Sequence, residues 1–201
     1  MKLSTGSRVL IGVGALVALL AAADEYPAMR FRGDGKFSGG PVLGYSIAFR
    51  RIPFSVVGEY VFHFRGAPKE EMSLQLYTDG KNGDNRAELT NLQTHMEATL
   101  ADQSGHTLCH GAGVVPAESD PCKDCKDSKV WTEQEIEARF QREWVLMSGP
   151  SDAAYWHANC LRVPLRPSAA YTLTIRIKDV DPKTPKINLI PTLEGGQPDL
   201  P

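Results

Sequence analysis

The sequence predicts a mainly antiparallel all-β fold, a β-sandwich of jelly-roll or immunoglobulin-like type with one short inserted helix. Three observations support this prediction. Apolar and polar residues alternate over many short segments, turns rich in Gly, Pro and Asp separate these segments, and only one segment has helical spacing. A parallel α/β fold would need a helix after most strands, so a two-layered antiparallel sandwich is favoured.

Residues 1–23 are predicted to form a cleavable secretion signal. Lys2 and Arg8 precede the apolar run Val9–Leu20, and Ala21–Ala23 supply the small residues that a signal peptidase requires. The run is shorter than the roughly 20 apolar residues that a membrane-spanning helix needs. We therefore expect a periplasmic or secreted protein with no membrane span after cleavage, and an uncleaved anchor is the alternative.

The rest of the chain is predicted to form one folding unit. A Gly-rich N-terminal segment covers 24–44, a single β-sandwich domain covers 45–194, and a flexible tail covers 195–201. The formal net charge of −2 argues against a nucleic-acid partner, because binding to phosphates depends on an excess of clustered Lys and Arg.

The first half of the domain shows alternation typical of half-buried strands. Strands are predicted at Tyr45–Phe49, Tyr60–Phe64, Met72–Leu76 and Thr90–Leu100. A turn at Ser104–Gly105 leads into a further strand over His106–Cys109, and 111–127 reads as a long loop because it has no apolar period.

The second half begins with the predicted helix. Thr132 and Glu135 have the spacing of a capping box, and Ile136 and Phe140 follow at a spacing of four. Four strands complete the domain, and Pro164 predicts that the second of them lies at a sheet edge or carries a bulge. They are predicted at Trp144–Met147, Leu161–Leu165, Tyr171–Ile177 and Lys186–Leu193.

Four cysteines, Cys109, Cys122, Cys125 and Cys160, all follow the signal. An even number in an exported chain predicts two structural disulfides, since the destination is oxidising. Three pairings are possible. We favour Cys109 with Cys122 and Cys125 with Cys160, because the first bond closes the Gly/Pro-rich stretch 110–121 and the second ties the following segment to a later strand.

The cysteines allow two other interpretations, a redox pair and a zinc site. A redox pair Cys122–Cys125 would need a thiolate at a helix N-terminus, whereas this motif lies in a charged loop. A zinc site from Cys109, His110, Cys122 and Cys125 has suitable ligands, but its spacing matches no common zinc finger.

Catalytic motifs are absent from the sequence. It contains no G-x-S-x-G elbow, no P-loop and no dinucleotide-binding glycine motif. The histidines follow no metal-ligand spacing and read as surface or strand residues; they are His63, His95, His106, His110 and His157. We assign no catalytic residue and no cofactor.

Acidic residues suggest a metal hypothesis. The turn from Asp79 to Asn85 loosely resembles a calcium loop, but Lys81 and Gly83 occupy positions where an EF-hand loop needs oxygen donors. A plain hairpin turn is the favoured reading. Asp179 and Asp181 would add calcium ligands if the fold brought the two loops together.

Two groups of side chains suggest binding surfaces. Aromatic residues in a sandwich belong to the core more often than to a surface, but they are also the residues on which sugars stack; here they are Trp131, Trp144, Tyr155 and Trp156. A basic strip facing an acidic partner would use Arg30, Arg32, Arg50 and Arg51, with four solvated side chains as the alternative.

The segments YTLTIRIKDVDP (171–182) and INLIPTLEGG (187–196) resemble the end of a family of small exported bacterial β-sandwich proteins that has no assigned activity. The resemblance is confined to these strand-like segments. It implies fold and export, and it supplies no functional residues.

The expected function is that of an exported, non-catalytic binding protein whose ligand is another protein, including an immunity or inhibitor role. A carbohydrate-binding module is the first alternative, since sugar-stacking aromatics are available. A metal-dependent enzyme using the Cys/His cluster or the acidic loops is the second. Function is not determined by the fold alone.

Overall fold

The computed structural model describes residues 30–40, 44–78, 92–115, 144–148, 154–157, 160 and 162–196, with the backbone only at 145–148 and 154–157. The regular elements of this part are all β-strands. In chain order they are β1 (Arg32–Gly33), β2 (Lys36–Gly40), β3 (Gly44–Ala48), β4 (Ile52–Pro53), β5 (Gly58–Arg65), β6 (Glu71–Thr78), β7 (His95–Asp102), β8 (Thr107–Val114), β9 (Val145–Ser148), β10 (Ala154–His157), β11 (Val163–Pro164), β12 (Ala170–Asp179) and β13 (Asn188–Gly195).

The strands form two antiparallel sheets. Sheet A has the order β1-β5-β12-β7-β8, and sheet B has the order β2-β3-β13-β6-β10-β9 with β11 beside β6 and β4 beside β13. One face of each sheet is buried, as in a β-sandwich. The predicted all-β sandwich is therefore confirmed, while the helix predicted after Thr132 lies outside the described residues.

The hydrophobic core follows from the alternation seen in the sequence. On β12, Tyr171, Leu173, Ile175 and Ile177 are buried while the residues between them are half-buried or exposed. On β6 and β7, too, every second residue is buried. These residues are Met72, Leu74, Leu76, Met96, Ala98 and Leu100. Burial of alternate side chains sets the pairing register, because a slip of one residue would turn every apolar side chain toward solvent.

Proline positions explain two irregularities of sheet B. Pro164 lies on the two-residue strand β11 beside β6, in agreement with the predicted edge. Pro191 lies in the middle of β13 and lacks an N–H to donate. The strand beside it is divided there into β3 and β4, and Phe49 N–H donates to the Pro191 carbonyl across the gap.

Several predicted boundaries shift. The Gly-rich segment supplies β1 and β2, so the sandwich begins before 45. Strand β8 continues through Val114 into the stretch expected to be a loop, and β10 was not predicted. Glycine and charged residues have low β-propensity, yet pairing with β5, β3 and β7 holds these stretches as strands.

One disulfide bond joins Cys109 to Cys160, with their Cα atoms 5.2 Å apart. Both preferred pairings are therefore wrong, and Cys122 and Cys125 lie outside the described residues. Cys109 belongs to β8 of sheet A, whereas the Cys160 carbonyl accepts the N–H of Leu74 on β6 of sheet B. The buried bond thus links the two sheets, a proximity created by tertiary folding rather than by closeness in sequence.

Trp144 is a core residue beside this link. It is 0% exposed, its Nε1–H donates to the Met96 carbonyl at 2.9 Å, and its backbone N–H donates to the Val114 carbonyl. The indole therefore fills the interior with its polar atom satisfied. It joins sheet A to the start of β9 in sheet B.

Removal of the inter-sheet disulfide is expected to destabilise the protein. The bond closes a loop between residues 51 apart in sequence, so the double variant Cys109→Ala/Cys160→Ala should lose about 4 kcal/mol of unfolding free energy in urea titrations. Peptide mapping without reduction should recover the Cys109 and Cys160 peptides joined. A Cys109–Cys122 peptide, or a variant as stable as the parent, would contradict the pairing.

Candidate binding site

Strand β5 is paired along its whole length on one side only. Strand β12 pairs with it from Gly58 to Arg65, whereas β1 pairs only with Phe64 and Arg65. Asp34 extends the contact by one residue: its N–H donates to the His63 carbonyl at 2.7 Å, and its carboxylate accepts the His63 N–H at 2.8 Å. Among the described residues, no strand follows beside Gly58–Phe62, and we call this stretch the open β5 edge.

The direction of His63 identifies the backbone groups exposed on the open β5 edge. In an antiparallel pair, successive residues point their N–H and C=O groups alternately to the two sides of the strand. His63 points to the β1 side, and the β5–β12 register is unbroken. The N–H and C=O groups of Glu59 and Val61 therefore face away from β12, with no partner strand in the described part of the chain.

Two glycines cause the chain to leave the sheet before it covers this edge. Gly33 and Gly35, on either side of Asp34, both have φ of +116°, a conformation that other residues rarely adopt. A Cβ at Gly33 would also lie 2.2 Å from the His63 carbonyl oxygen. After Gly35 the chain enters β2 in sheet B, so β1 stops after two residues.

Exposed apolar side chains lie at the beginning of the open β5 edge. Val56 and Val57, which directly precede β5, are 49% and 61% exposed and are the exposed large hydrophobic residues in the described part. Tyr60 is half-buried, and its hydroxyl donates to the Val56 carbonyl at 3.4 Å. Burial raises the pKa of the Tyr60 hydroxyl. In the described part of the chain, backbone groups without a partner strand therefore lie next to exposed apolar side chains.

A cavity of about 280 Å³ opens at the other end of β5. Its side-chain donors come from β1, β5, β12 and the turn between β7 and β8; they are Arg32, His63, Arg65, Gln103 and Thr172. The lining residues in the described part include no carboxylate. We call this feature the cationic cavity.

Hydrogen bonds hold three of the residues that line the cationic cavity, His63, Tyr171 and Thr172. His63 Nδ1 and Thr172 Oγ1 are 3.1 Å apart across the strands. The buried Tyr171 side chain holds the start of β12, because its hydroxyl accepts the Arg166 N–H at 2.6 Å. Burial is the main cause that raises the pKa of Tyr171.

A second polar cluster lies on the outer face of sheet B. The Tyr77 hydroxyl contacts Gln75 Oε1 and donates to Glu194 Oε2 at 2.9 Å. Burial raises the pKa of Glu194, and the Tyr77 hydrogen bond only partly opposes this shift. No sequence motif marks this cluster, and its signal is a glutamate directly after the buried stretch 191–193 on β13.

Two of the acidic residues proposed for calcium are described by the structure, and one of them, Asp181, has a structural role. The Asp181 carboxylate accepts the N–H groups of Gln93 at 2.9 Å and Lys183 at 2.8 Å, and these bonds lower its pKa. Asp179 is exposed at the end of β12, and Asp79 and Asp84 lie outside the described residues. Within the described part, no three His, Cys, Asp or Glu side chains form a metal-binding group.

The proposed zinc set is contradicted at Cys109, whose sulfur is bound to Cys160. His110 lies on the outer face of sheet A, where its Nδ1 is 3.0 Å from Thr99 Oγ1. A disulfide sulfur is not a thiolate ligand for zinc.

Trp144 is buried, so it cannot belong to a surface on which sugars stack. Trp131 lies outside the described residues, and Tyr155 and Trp156 are described by their backbone in β10. The predicted arginine strip is divided between the sheets: Arg32 is on β1, and Arg50 and Arg51 lie between β3 and β4, with the Arg50 guanidinium 5.4 Å from the centre of the Phe62 ring. Arg32 instead lies opposite Arg65, which the sequence analysis did not single out.

Comparison of the chain with protein-family models, with curated proteins and with solved structures found no match. Across the described residues, no helix is both long enough and apolar enough to traverse a bilayer. The surface chemistry of the sandwich is therefore the basis for a functional proposal.

Replacement of Glu194 should change how stability depends on pH. Its folded-state pKa is raised, so ionisation opposes folding and stability is lost as the pH increases through that pKa. We expect Glu194→Gln to raise the melting temperature at pH 7 relative to the parent, with the difference shrinking toward pH 4.

Glu97→Gln is the matched control for this experiment. Its hydrogen bond from Lys178 lowers the Glu97 pKa, so the charged form favours folding and its contribution disappears as the pH falls. This variant should be less stable than the parent at pH 7 and approach it under acid conditions. The same pH profile for both variants would contradict the assignment of Glu194.

Proposed function

We propose that this chain is an exported, non-catalytic binding protein that receives an extended segment of a partner protein along the open β5 edge. The proposal is supported by the N–H and C=O groups of Glu59 and Val61, which have no partner strand among the described residues and lie next to the exposed Val56 and Val57. Strand addition to a free sheet edge is an established mode of peptide recognition, in which main-chain hydrogen bonds supply affinity.

The boundaries of the edge define the size of the segment. Strand β1 and Asp34 block the edge at His63, and the Val56–Val57 segment lies at its other end. About five residues of a partner therefore fit beside Gly58–Phe62 at the ordinary strand rise. Side chains on one face of that segment would meet Val61, and those on the other face would meet Tyr60.

The energetics of this interaction fit a reversible complex. Each backbone hydrogen bond contributes a net amount of about 0.5–1.5 kcal/mol. Burial of Val56 and Val57 adds apolar area at about 25 cal/mol per Å². The entropy lost on association offsets part of both contributions.

Another feature of the described part agrees with recognition outside the cytoplasm. The buried Cys109–Cys160 bond is compatible with an oxidising compartment.

Backbone and side-chain variants of the edge test the proposal. Val61→Pro removes only an N–H that faces away from β12, so β5 can remain in the sheet. A photo-crosslinking residue at Val57 should trap one discrete partner in the exporting host, and Val61→Pro in that background should reduce the yield at least tenfold. Val56→Asp in the same background should weaken capture, because it places a charge in the exposed apolar surface without removing a backbone N–H.

Val61→Thr is the matched control, since it keeps both the N–H and the β-branched shape. It should trap the partner within about twofold of the parent. A crosslinker at Ser104, on the β7–β8 turn, should not trap this partner. Equal capture by folded Val61→Pro and Val61→Thr proteins would reject strand addition, with melting temperatures showing that both are folded.

A further inference from the structure

We infer that the cationic cavity is an anion-binding site that takes a carboxylate group. The site rests on its own geometry. Its assignment to an acidic residue of the bound segment rests on the proposed function.

Charges at one end of this face are paired. The Arg176 guanidinium contacts the Glu59 carboxylate at 2.5 Å, and Lys178 contacts Glu97 at the same distance. These bonds raise the pKa of Arg176 and lower that of Glu97. The cations and anions of this end therefore neutralise each other.

At the other end of this face, beside the cationic cavity, the charges are not paired in this way within the described part of the chain. Arg65 is exposed, and no carboxylate pairs with it in the described part of the chain. Arg32 lies opposite it on β1, and His63 is two residues before it on β5. The Asp34 carboxylate is engaged at the sheet edge, where it accepts the His63 N–H. Among the described residues, Arg65 is therefore the cavity-lining cation to which no carboxylate is paired.

Small neighbours open the space in which an anion can sit. Arg65 is paired with Ala170 on β12, and Gly33 is paired with Phe64 on the other side. A carboxylate in this space would meet the Arg65 guanidinium, whose planar donors suit bidentate binding. The Gln103 amide and the Thr172 hydroxyl supply further hydrogen-bonding groups on the opposite wall.

The position of the cavity connects it with the open β5 edge. The His63 backbone closes that edge, while its imidazole lines the cavity. An acidic residue at the end of the bound segment next to His63 would therefore reach the cavity. Charge complementarity of this kind fixes register and speeds association.

A titration with sodium acetate, at ionic strength held constant with chloride, tests the site without the partner. We expect saturable shifts of the Gly33, Gln103 and Thr172 amide resonances in ¹H–¹⁵N spectra. Arg65→Gln should raise the acetate Kd at least tenfold, while Arg176→Gln, the ion-paired control, should change it less than twofold.

The experiment separates this inference from the proposed function. Val61→Pro should bind acetate normally, because the edge and the cavity are different surfaces. Shifts that stay linear with acetate, or equal saturation in Arg65→Gln and the parent, would overturn the anion site and leave strand addition untouched. Acetate binding by a protein that traps no partner at Val57 would instead reject the proposed function alone.

Discussion

The crossing of the chain from sheet A to sheet B at Asp34 is the constraint on which the binding surface depends. Gly33 and Gly35 adopt a conformation that a side chain would oppose, and they end β1 after two residues. Because β1 stops there, the outward backbone groups of Glu59 and Val61 remain without a strand among the described residues. The same crossing places Arg32 opposite Arg65 and so forms one wall of the cationic cavity.

The two lateral edges of sheet A serve different purposes. At the β8 edge, the Cys109–Cys160 bond and the buried Trp144 indole tie sheet A to sheet B. At the β5 edge, the chain crosses to sheet B and leaves backbone groups that no strand in the described part of the chain pairs with. Edge strands of this kind invite pairing with other chains, and proteins commonly shorten or charge them. A short edge bounded by β1 limits the contact to a segment of about five residues.

The strands with strict alternation were predictable because burial on one face leaves a period of two in the sequence. The segments around Leu173 on β12 and Leu74 on β6 show this directly. Strands β1 and β2 were not predictable in this way, since their residues are mostly charged, polar or glycine and are held by pairing with distant segments.

The candidate site could not be predicted from the sequence for a related reason. The strands beside β5 are remote from it in sequence. No local pattern around Val61 therefore indicates which side of β5 has no neighbouring strand among the described residues. Arg65 reads as one more exposed cation until its register with Arg32 and Ala170 is known. Disulfide connectivity is likewise a property of tertiary proximity, which the count of cysteines does not determine.

Backbone hydrogen exchange along β5 reports whether the outer side of this strand is open or covered. The amides of Tyr60 and Phe62 point toward β12 and should exchange slowly, and the His63 amide should be protected by the Asp34 carboxylate. The amides of Glu59 and Val61 should exchange much faster than their neighbours, because they face the open β5 edge. Equal protection of all four residues from Glu59 to Phe62 would show that the edge is covered and would contradict the account.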